Sequence, residues 1–315
     1  MSFEIPLIGI GNLRVGGTGK TPMIEYVIDL LKTENRIATL SRGYGRKTTG
    51  FLLATSESTA NEIGDEPCQV KQKYEDIDVA VCADRVLGVK NLIKHNPKLS
   101  VVLLDDVFQH RRIKPGLMIL LSAYDDLYVN DHVLPAGMLR EHKCGANRAD
   151  IIVVTKCPKS LSNDQRRNAM SLISPAPYQK LFFAYEDYGI AYCISSGRKL
   201  PNETKRVILV TGIATVASII AKIEADYEII QHFRFNDHHV YTRADLDKIS
   251  ASFIQYSDPS LAIITTEKDA TRLKKYITET TFKDLSIYAL PVKLNFQNSD
   301  KPNFNKVINE FVRSN

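Results

Sequence analysis

Long apolar runs are missing from this sequence. The longest lie at residues 101–104, 117–121 and 151–154, and each is far shorter than the ~20 residues needed to cross a bilayer. No basic stretch followed by an apolar one precedes the body of the chain, so we expect no secretory signal. The sequence therefore predicts neither a transmembrane segment nor a secretory signal.

Paired cysteines are missing as well. The five cysteines, at positions 68, 82, 144, 157 and 193, are odd in number and form no C-x-x-C pair. This spacing argues against a disulfide framework and against a zinc site. A reduced, cytoplasmic setting is the simplest interpretation.

The sequence also lacks a strong excess of positive or negative charge. The 41 Lys and Arg residues exceed the 36 Asp and Glu residues by five, and 44% of the residues are hydrophobic. Such a composition is typical of a globular protein. The small basic excess permits an anionic substrate or a lipid surface, but it is less than a dedicated nucleic-acid binder carries, so we expect no nucleic-acid partner.

Short β-branched runs alternate with helical segments, which indicates βαβ units around a mainly parallel sheet. The length of 315 residues allows about two domains. The predicted elements are a first strand over 3–10, a first helix over 21–32, strands at 36–40, 77–82, 100–104, 117–121 and 150–155, and a second set of strands at 207–212, 262–266 and 285–290. We predict a first domain over 1–185, a linker over 186–205 and a smaller α/β domain over 206–315, whose C-terminal helix could pack back on the first domain.

The clearest functional motif is glycine-rich: GNLRVGGTGKT at residues 11–21, between the first predicted strand and helix. Glycines let backbone N–H groups converge on a phosphate, and the helix N-terminus adds its positive dipole end. Lys20 would reach the β- and γ-phosphates, and the Thr21 hydroxyl would ligate Mg²⁺. The alternative, a glycine-rich turn that binds nothing, is disfavoured by the strand–loop–helix context. The predicted nucleotide-binding residues are Arg14, Val15, Gly16, Gly17, Thr18, Gly19, Lys20 and Thr21.

The motif departs from the usual G-x-x-x-x-G-K-[ST] only at Arg14, where a glycine is expected. Together with the two sets of predicted strands, the motif indicates an α/β fold with a P-loop NTPase-like parallel-sheet domain and a second, smaller α/β domain.

Two carboxylates end a buried strand at VVLLDD, residues 101–106. Asp105 and Asp106 would lie where a nucleotide-binding sheet holds its metal, although a pair of solvated turn aspartates is the simpler alternative. Directly after them, His110, Arg111 and Arg112 bring three potentially cationic side chains together. These would suit phosphate recognition, but a solvated loop fits the spacing equally well.

Four shorter motifs are weak when taken singly. GDEP at 64–67 and FNDHH at 235–239 each contain an acid that could deprotonate or orient a hydroxyl, but such turns are usually solvated and a lone histidine is usually structural. SRGYGR at 41–46 could bring charge to a transferred phosphoryl group. TEKDA at 266–270 follows a strand, and its local interpretation is a helix cap.

Other phosphate-loop classes fit less well. A guanine-nucleotide switch needs [NT]-K-x-D, but in Thr155-Lys156-Cys157-Pro158 a proline stands at the position of the acid. Partitioning ATPases carry a lysine before the paired glycines, where this chain has Val15. A nucleotide-gated interaction module that uses the loop as a switch is the non-enzyme alternative.

The chain resembles the tetraacyldisaccharide 4′-kinases of lipid A synthesis. The resemblance covers most of the chain and rests on motifs in a fixed order: GNLRVGGTGKTP, SRGYGR, GDEP, DDVFQHRR, LPAGMLRE, ADIIVVTKCP, FNDHH and TEKDA. It implies transfer of the γ-phosphoryl group of ATP, with Mg²⁺, to the 4′-hydroxyl of a membrane-borne acylated disaccharide 1-phosphate.

The resemblance also implies roles for individual residues. Asp65 would activate the hydroxyl, and His238 would be its partner. The residues that would surround the metal are Thr21, Glu66, Asp105, Asp106 and Glu141. The candidates for contacts with substrate or phosphate are Arg42, His110, Arg111 and Arg140. Two small departures, Val107 for a glycine and Asn236 for a commoner proline, remove no charged group.

A larger departure concerns the beginning of the chain. Family members usually have a further stretch, including an apolar or amphipathic helix, before the first strand, whereas this sequence begins almost at that strand. A lipid acceptor nevertheless requires work at an interface. We therefore expect a cytoplasmic protein that associates peripherally with the cytoplasmic face of the inner membrane, weakly, reversibly and in a partly salt-sensitive way.

Overall fold

The computed structural model describes residues 1–256, 258–277, 285–297 and 299–314. The chain forms two compact units. The first contains Met1–Asp187 together with Lys293–Asn315, and the second contains Tyr188–Val292.

The sheet of the first unit has nine strands within the described residues, in the order β14-β8-β7-β6-β1-β5-β2-β4-β3. Its strands are β1 (Leu7–Asn12), β2 (Ile37–Ser41), β3 (Leu52–Leu53), β4 (Asp78–Val81), β5 (Val101–Asp105), β6 (Leu117–Ala123), β7 (Ile151–Thr155), β8 (Lys180–Tyr188) and β14 (Val292–Phe296). The pairs from β8 to β4 are parallel, and β3 pairs antiparallel with β4. The carboxyl ends of the parallel strands therefore meet at one edge.

Helices cover both faces of this sheet. They are α1 (Lys20–Leu31), α2 (Ala60–Ile63), α3 (Asp65–Lys73), α4 (Arg85–His95), α5 (Asn163–Ile173) and α9 (Asp300–Arg313), with short 3₁₀ helices at Tyr128–Asn130 and Lys143–Arg148. Alternate residues of each central strand enter opposite cores. One core contains Val27 of α1 and Phe304 of α9, and the other contains Leu92 of α4 and Ile173 of α5. Because both faces are buried, the central strands are mainly apolar.

The second unit is a smaller α/β sandwich. Its elements are β9 (Tyr192–Cys193), β10 (Arg206–Thr211), α6 (Ala217–Glu224), β11 (Glu228–Arg234), α7 (Arg243–Tyr256), β12 (Leu261–Thr266), α8 (Glu267–Ile277) and β13 (Ile287–Leu290). The sheet order is β11-β10-β12-β13-β9, and only β9 runs antiparallel to its neighbour in the described pairings. Ile223 of α6 packs on one face, and Leu246 of α7 and Leu273 of α8 pack on the other.

The predicted α/β class with its parallel sheet is confirmed. The unit boundaries differ from those that we predicted. Within the predicted linker 186–205, β9 pairs with β13 and so belongs to the second sheet. Residues 293–315, assigned above to the smaller domain with a C-terminal helix that could pack back on the first, belong to the first unit. The physical reason is the apolar stripe of α9, since Phe304 packs edge to face on Phe182 of β8 with ring centroids 5.5 Å apart.

Candidate active site

The glycine-rich loop lies between β1 and α1, as its spacing predicts. Gly19 precedes α1 with φ 82°, a left-handed conformation that favours glycine, and no side chain caps the helix there. The backbone N–H groups of the first turn are thus left for an anion. Asn12 stabilises the loop, because its side-chain amide donates a hydrogen bond to Thr18 Oγ1 at 2.8 Å.

Arg14, the departure from the usual motif, is turned away from the centre of the loop. Its guanidinium pairs with Asp126 at 2.5 Å and with Asp131 at 2.9 Å. The backbone on either side pairs with LPAGMLRE: Val15 N donates to Met138 O at 2.8 Å. This arginine therefore fastens the loop to a neighbouring segment.

The paired aspartates follow β5, which lies beside β1. Asp106 has φ 47°, an uncommon conformation for a residue other than glycine. The buried Arg85 stabilises this turn by donating to the carbonyls of Asp105 at 3.1 Å and Asp106 at 3.2 Å. The two carboxylates are thereby held at the carboxyl edge of the sheet.

Asp106 is surrounded by cations. Arg140 makes two hydrogen bonds to it, at 2.7 and 2.9 Å, and Lys20 Nζ lies 3.7 Å from Oδ1. Burial by itself would raise the pKa of Asp106, but the Arg140 hydrogen bonds and the charge of Lys20 hold it below its ordinary value. Arg140 also donates to Asn12 O at 3.1 Å, so it connects the carboxylate to the end of β1.

Asp105 has the opposite environment. Its Oδ1 is buried and has no hydrogen-bond partner among the residues that the structure describes. Burial, together with the neighbouring Asp106 charge, raises the pKa of Asp105 to about 7. A buried carboxylate oxygen without a partner is what a missing ligand would satisfy.

Three of the predicted metal ligands line one cavity. Thr21, Glu66 and Asp105 lie around it, with Thr39 and Ser41 from β2. The described residues contain no ready-made cluster of three His, Cys, Asp or Glu side chains. Mg²⁺ at phosphate sites needs no such cluster, because it is bound by one or two carboxylates together with substrate phosphates and water. The hydroxyl, the carboxylates and the unpartnered Asp105 oxygen fit that ion.

Two glycine-containing motifs bring the start of α3 to this cavity. Gly64 (φ 93°) precedes α3, and a Cβ there would lie 3.2 Å from the Gly43 Cα. The loop SRGYGR and the turn GDEP therefore touch backbone to backbone. This contact places Asp65 and Glu66 in the first turn of α3, beside the end of β2.

The remaining predicted side chains of the first unit lie around this centre with different partners. Glu141 pairs with Arg148 at 2.7 Å and accepts from Gln109 at 3.0 Å. In His110, Nδ1 is buried with no partner in the described part of the chain, and burial, with the charge of Arg85, lowers its pKa. The predicted substrate contacts Arg42 and Arg111 are exposed.

His238 belongs to the second unit, in the loop between β11 and α7, and has φ 58°. Its ring nitrogens face Lys268 at 3.2 Å and Arg272 at 3.4 Å, both from α8. The neighbouring His239 has a structural role, since it stacks on Phe235 and lies 3.0 Å from Asp245. Of the two imidazoles, His238 thus contacts cationic side chains of α8, and His239 packs within its own loop.

Two functional arginines have no distinct sequence signal of their own. Arg85, in the segment ADRVLGV, reads as an ordinary helix residue, and only its burial reveals its contacts with the paired aspartates. Arg148 likewise ends a short 3₁₀ helix without a distinct motif. Only their contacts with the predicted acidic residues identify the two arginines, and a local pattern does not show those contacts.

A glycine-rich loop at the end of β1, with an acidic pair at the end of the adjacent parallel strand, is the arrangement of the P-loop class of nucleotide-binding proteins. The comparisons with known proteins then give the family. The family model described as tetraacyldisaccharide-1-P 4′-kinase matches residues 1–313. The chain belongs to this family, and the predicted family, kinase class and ATP-binding type are confirmed.

Individual relatives are similar to this chain over its full length. The tetraacyldisaccharide 4′-kinase of Flavobacterium johnsoniae is 43% identical, with 100% of this chain and 89% of the relative covered. The enzyme of the same name from Bacteroides fragilis strain NCTC 9343 is 42% identical, with 100% and 86% covered. A crystal structure of LpxK from Aquifex aeolicus in complex with ATP is similar with a TM-score of 0.74 and 25% identity, over 99% of this chain and 90% of that one.

Proposed function

We propose that this chain transfers the γ-phosphoryl group of ATP to the 4′-hydroxyl of an acylated disaccharide 1-phosphate, a step of lipid A synthesis. The observation that carries the proposal is the shared cavity of Thr21, Glu66 and Asp105, at the end of the phosphate loop. Family membership supports the choice of acceptor.

The phosphate loop would bind the β- and γ-phosphates through the open N-terminus of α1 and through Lys20. Arg140 would keep Asp106 ionised and fixed, so that the site is organised before ATP arrives. Thr21, Asp105 and Glu66 are the residues that would hold Mg²⁺. When bound, this ion neutralises charge on the phosphate oxygens. Because the transition state of phosphoryl transfer is loose, this positioning and charge balance would supply most of the rate.

The acceptor hydroxyl would be oriented and deprotonated by Asp65. Its place in the first turn of α3, next to Glu66, supports this role, because a base there lies beside the cavity proposed for the metal. His238 would assist in the same step. A positioned base contributes about 10²–10⁴-fold. Arg42, His110 and Arg111 are proposed to contact phosphate or substrate.

The test is a coupled assay of purified protein with labelled ATP, Mg²⁺ and an acylated disaccharide 1-phosphate. We expect a lipid product that carries a second phosphate, formed only when metal is present. Hydrolysis of ATP without a lipid product would contradict the proposal and favour a nucleotide-gated interaction module.

The site of action is proposed to be the cytoplasmic face of the inner membrane, where ATP meets the lipid. No helix in the described ranges is long and apolar enough to cross a bilayer. Basic side chains near anionic head groups contribute about 1 kcal/mol each, so a net charge of +5 supports weak binding. Sedimentation with anionic vesicles should show binding at low salt that high salt reverses. Full retention after a high-salt wash would contradict this.

A further inference from the structure

Lys156 lies at the phosphate loop, on the side opposite the acidic cluster. In the sheet, β5 with its aspartates is on one side of β1, whereas β6 and β7 are on the other. Lys156 follows β7 directly, and its Nζ lies 3.9 Å from the position that a Cβ on Gly17 would take. The mechanism above does not use this ammonium group.

The backbone around Lys156 is held firmly. Thr155 Oγ1 donates to Thr18 O at 2.9 Å, which fastens the end of β7 to the phosphate loop. Cys157 N donates to Ala184 O at 3.0 Å, and the carbonyl of Pro158 accepts from Gln297 at 2.8 Å. A lysine between such anchors has little freedom of its main chain.

Lys156 itself has φ 56°, a left-handed conformation that is unfavourable for a lysine. Strained residues that their surroundings hold in place are concentrated at ligand sites. No carboxylate in the described part of the chain forms an ion pair with this ammonium, although it is half-buried. The strain and the unpaired charge both indicate a ligand as its partner.

The direction in which ATP lies along the loop identifies that partner. The γ-phosphate must meet the cavity of Thr21, Glu66 and Asp105, which lies on the β5 side. The other end of the molecule, its ribose and base, therefore extends toward β6 and β7. Lys156 stands there, with an apolar stem that can cover a flat base and an ammonium that can donate to ribose oxygens.

We propose that Lys156 is a nucleotide-binding residue that fixes the nucleoside half of ATP beside the phosphate loop. The proposal rests on the ATP site of the proposed function and adds a residue to it. Pro158 stands where an acid would bind the N–H groups of guanine, so the lysine contributes affinity without a preference for guanine.

The experiment compares ADP with inorganic tripolyphosphate, which has the phosphates but no nucleoside. Calorimetric titration in the presence of Mg²⁺ at 0.15 M salt would use the wild type, Lys156→Ala and Lys156→Met, which keeps an apolar stem. Lys159→Ala is the matched control, because Lys159 is an exposed neighbour that pairs with Asp187.

We expect Lys156→Ala to raise the Kd of ADP about tenfold, as loss of a charged hydrogen bond does, and to leave tripolyphosphate within about twofold. Lys156→Met should lie between, and Lys159→Ala should match the wild type. An unchanged Kd for ADP would overturn the proposal. So would equal weakening of both probes, which would mean that Lys156 only supports the loop. A wild type that bound neither probe would instead overturn the ATP site as a whole.

Discussion

The two units present their candidate chemistry in different ways. In the first, the functional side chains stand at the ends of buried parallel strands or in the first turn of a helix, and arginines lock the acids in place: Arg140 on Asp106 and Arg148 on Glu141. In the second, His238 stands on a loop, and side chains of α8 are its contacts. The first unit thus holds its candidate groups at strand ends and in a helix turn, and the second holds one on a loop that contacts a helix.

The largest expected effect tests the phosphate loop of the first unit. Lys20→Ala should lower kcat/KM by about 10³-fold or more, because it removes the cation that meets the developing charge on the transferred phosphoryl group. The fold should stay intact, as judged by circular dichroism and thermal melting. Lys32→Ala is the control, since Lys32 is an exposed lysine at the end of the same helix, paired with Asp29. A Lys20→Ala enzyme with near-normal rate would contradict the role of the loop.

The next effect tests whether the two units act in one step. Asp65→Ala and His238→Ala should each lower kcat by about 10²–10⁴-fold, with little change in the Kd of ADP. If both serve the same proton transfer, the double variant should be barely slower than the worse single variant. Fully additive losses in the double-mutant cycle would assign them to separate steps. His239→Ala should instead mainly reduce stability, because His239 packs on Phe235.

A stability test shows whether the two units unfold independently. Asp269 is buried, accepts from Gly212 N at 3.0 Å and Thr266 Oγ1 at 2.7 Å, and pairs with the buried Arg272. Asp269→Ala removes the carboxylate that faces this buried guanidinium and should cost about 3–5 kcal/mol. Urea denaturation should show the loss, while ADP binding to the first unit is retained. The control is Asp226→Ala, an exposed partner of Lys222 in the same unit, with little expected effect.

If Asp269→Ala abolished ADP binding together with stability, the two units would unfold as one cooperative block. In that case the stability of the first unit would depend on the second.

The smallest effect concerns pH. Because the pKa of Asp105 is about 7 in the folded protein and about 4 in an unfolded chain, the folded state binds the extra proton between these values. Stability of the metal-free protein therefore falls as pH rises toward 7. Asp105→Asn removes this penalty and should raise Tm at pH 8 by about 2–4 °C, with a smaller gain at pH 5, while kinase activity is lost. A lower Tm at pH 8 would show that the buried charge has a compensating partner.

The sequence predicts local features of this protein well. The phosphate loop is recognisable because its chemistry depends on residues close in sequence, and Asp105 and Asp106 are recognisable because they end an apolar run. The β9 strand and the place of β14 in the first sheet are not. Both depend on pairing with segments far along the chain, β13 and β8, and no local pattern records such partners.

The same limit applies within the site. Glu66 and Asp105 belong to motifs separated by about forty positions, and only the close approach of Gly43 and Gly64 brings the first to the second. The resemblance to known kinases supplied that grouping, because the spacing of the motifs does not contain it.

The return of the chain to the first unit also orders events on the ribosome. Residues 1–187 are translated before the second unit, yet their sheet lacks β14, and the core lacks Phe304 and Ile308, until residues 292–308 follow. The second unit is contiguous and can fold while it is still being synthesised. The first unit thus completes its core only after the second unit has been translated, and the apolar surface that α9 covers stays open until then.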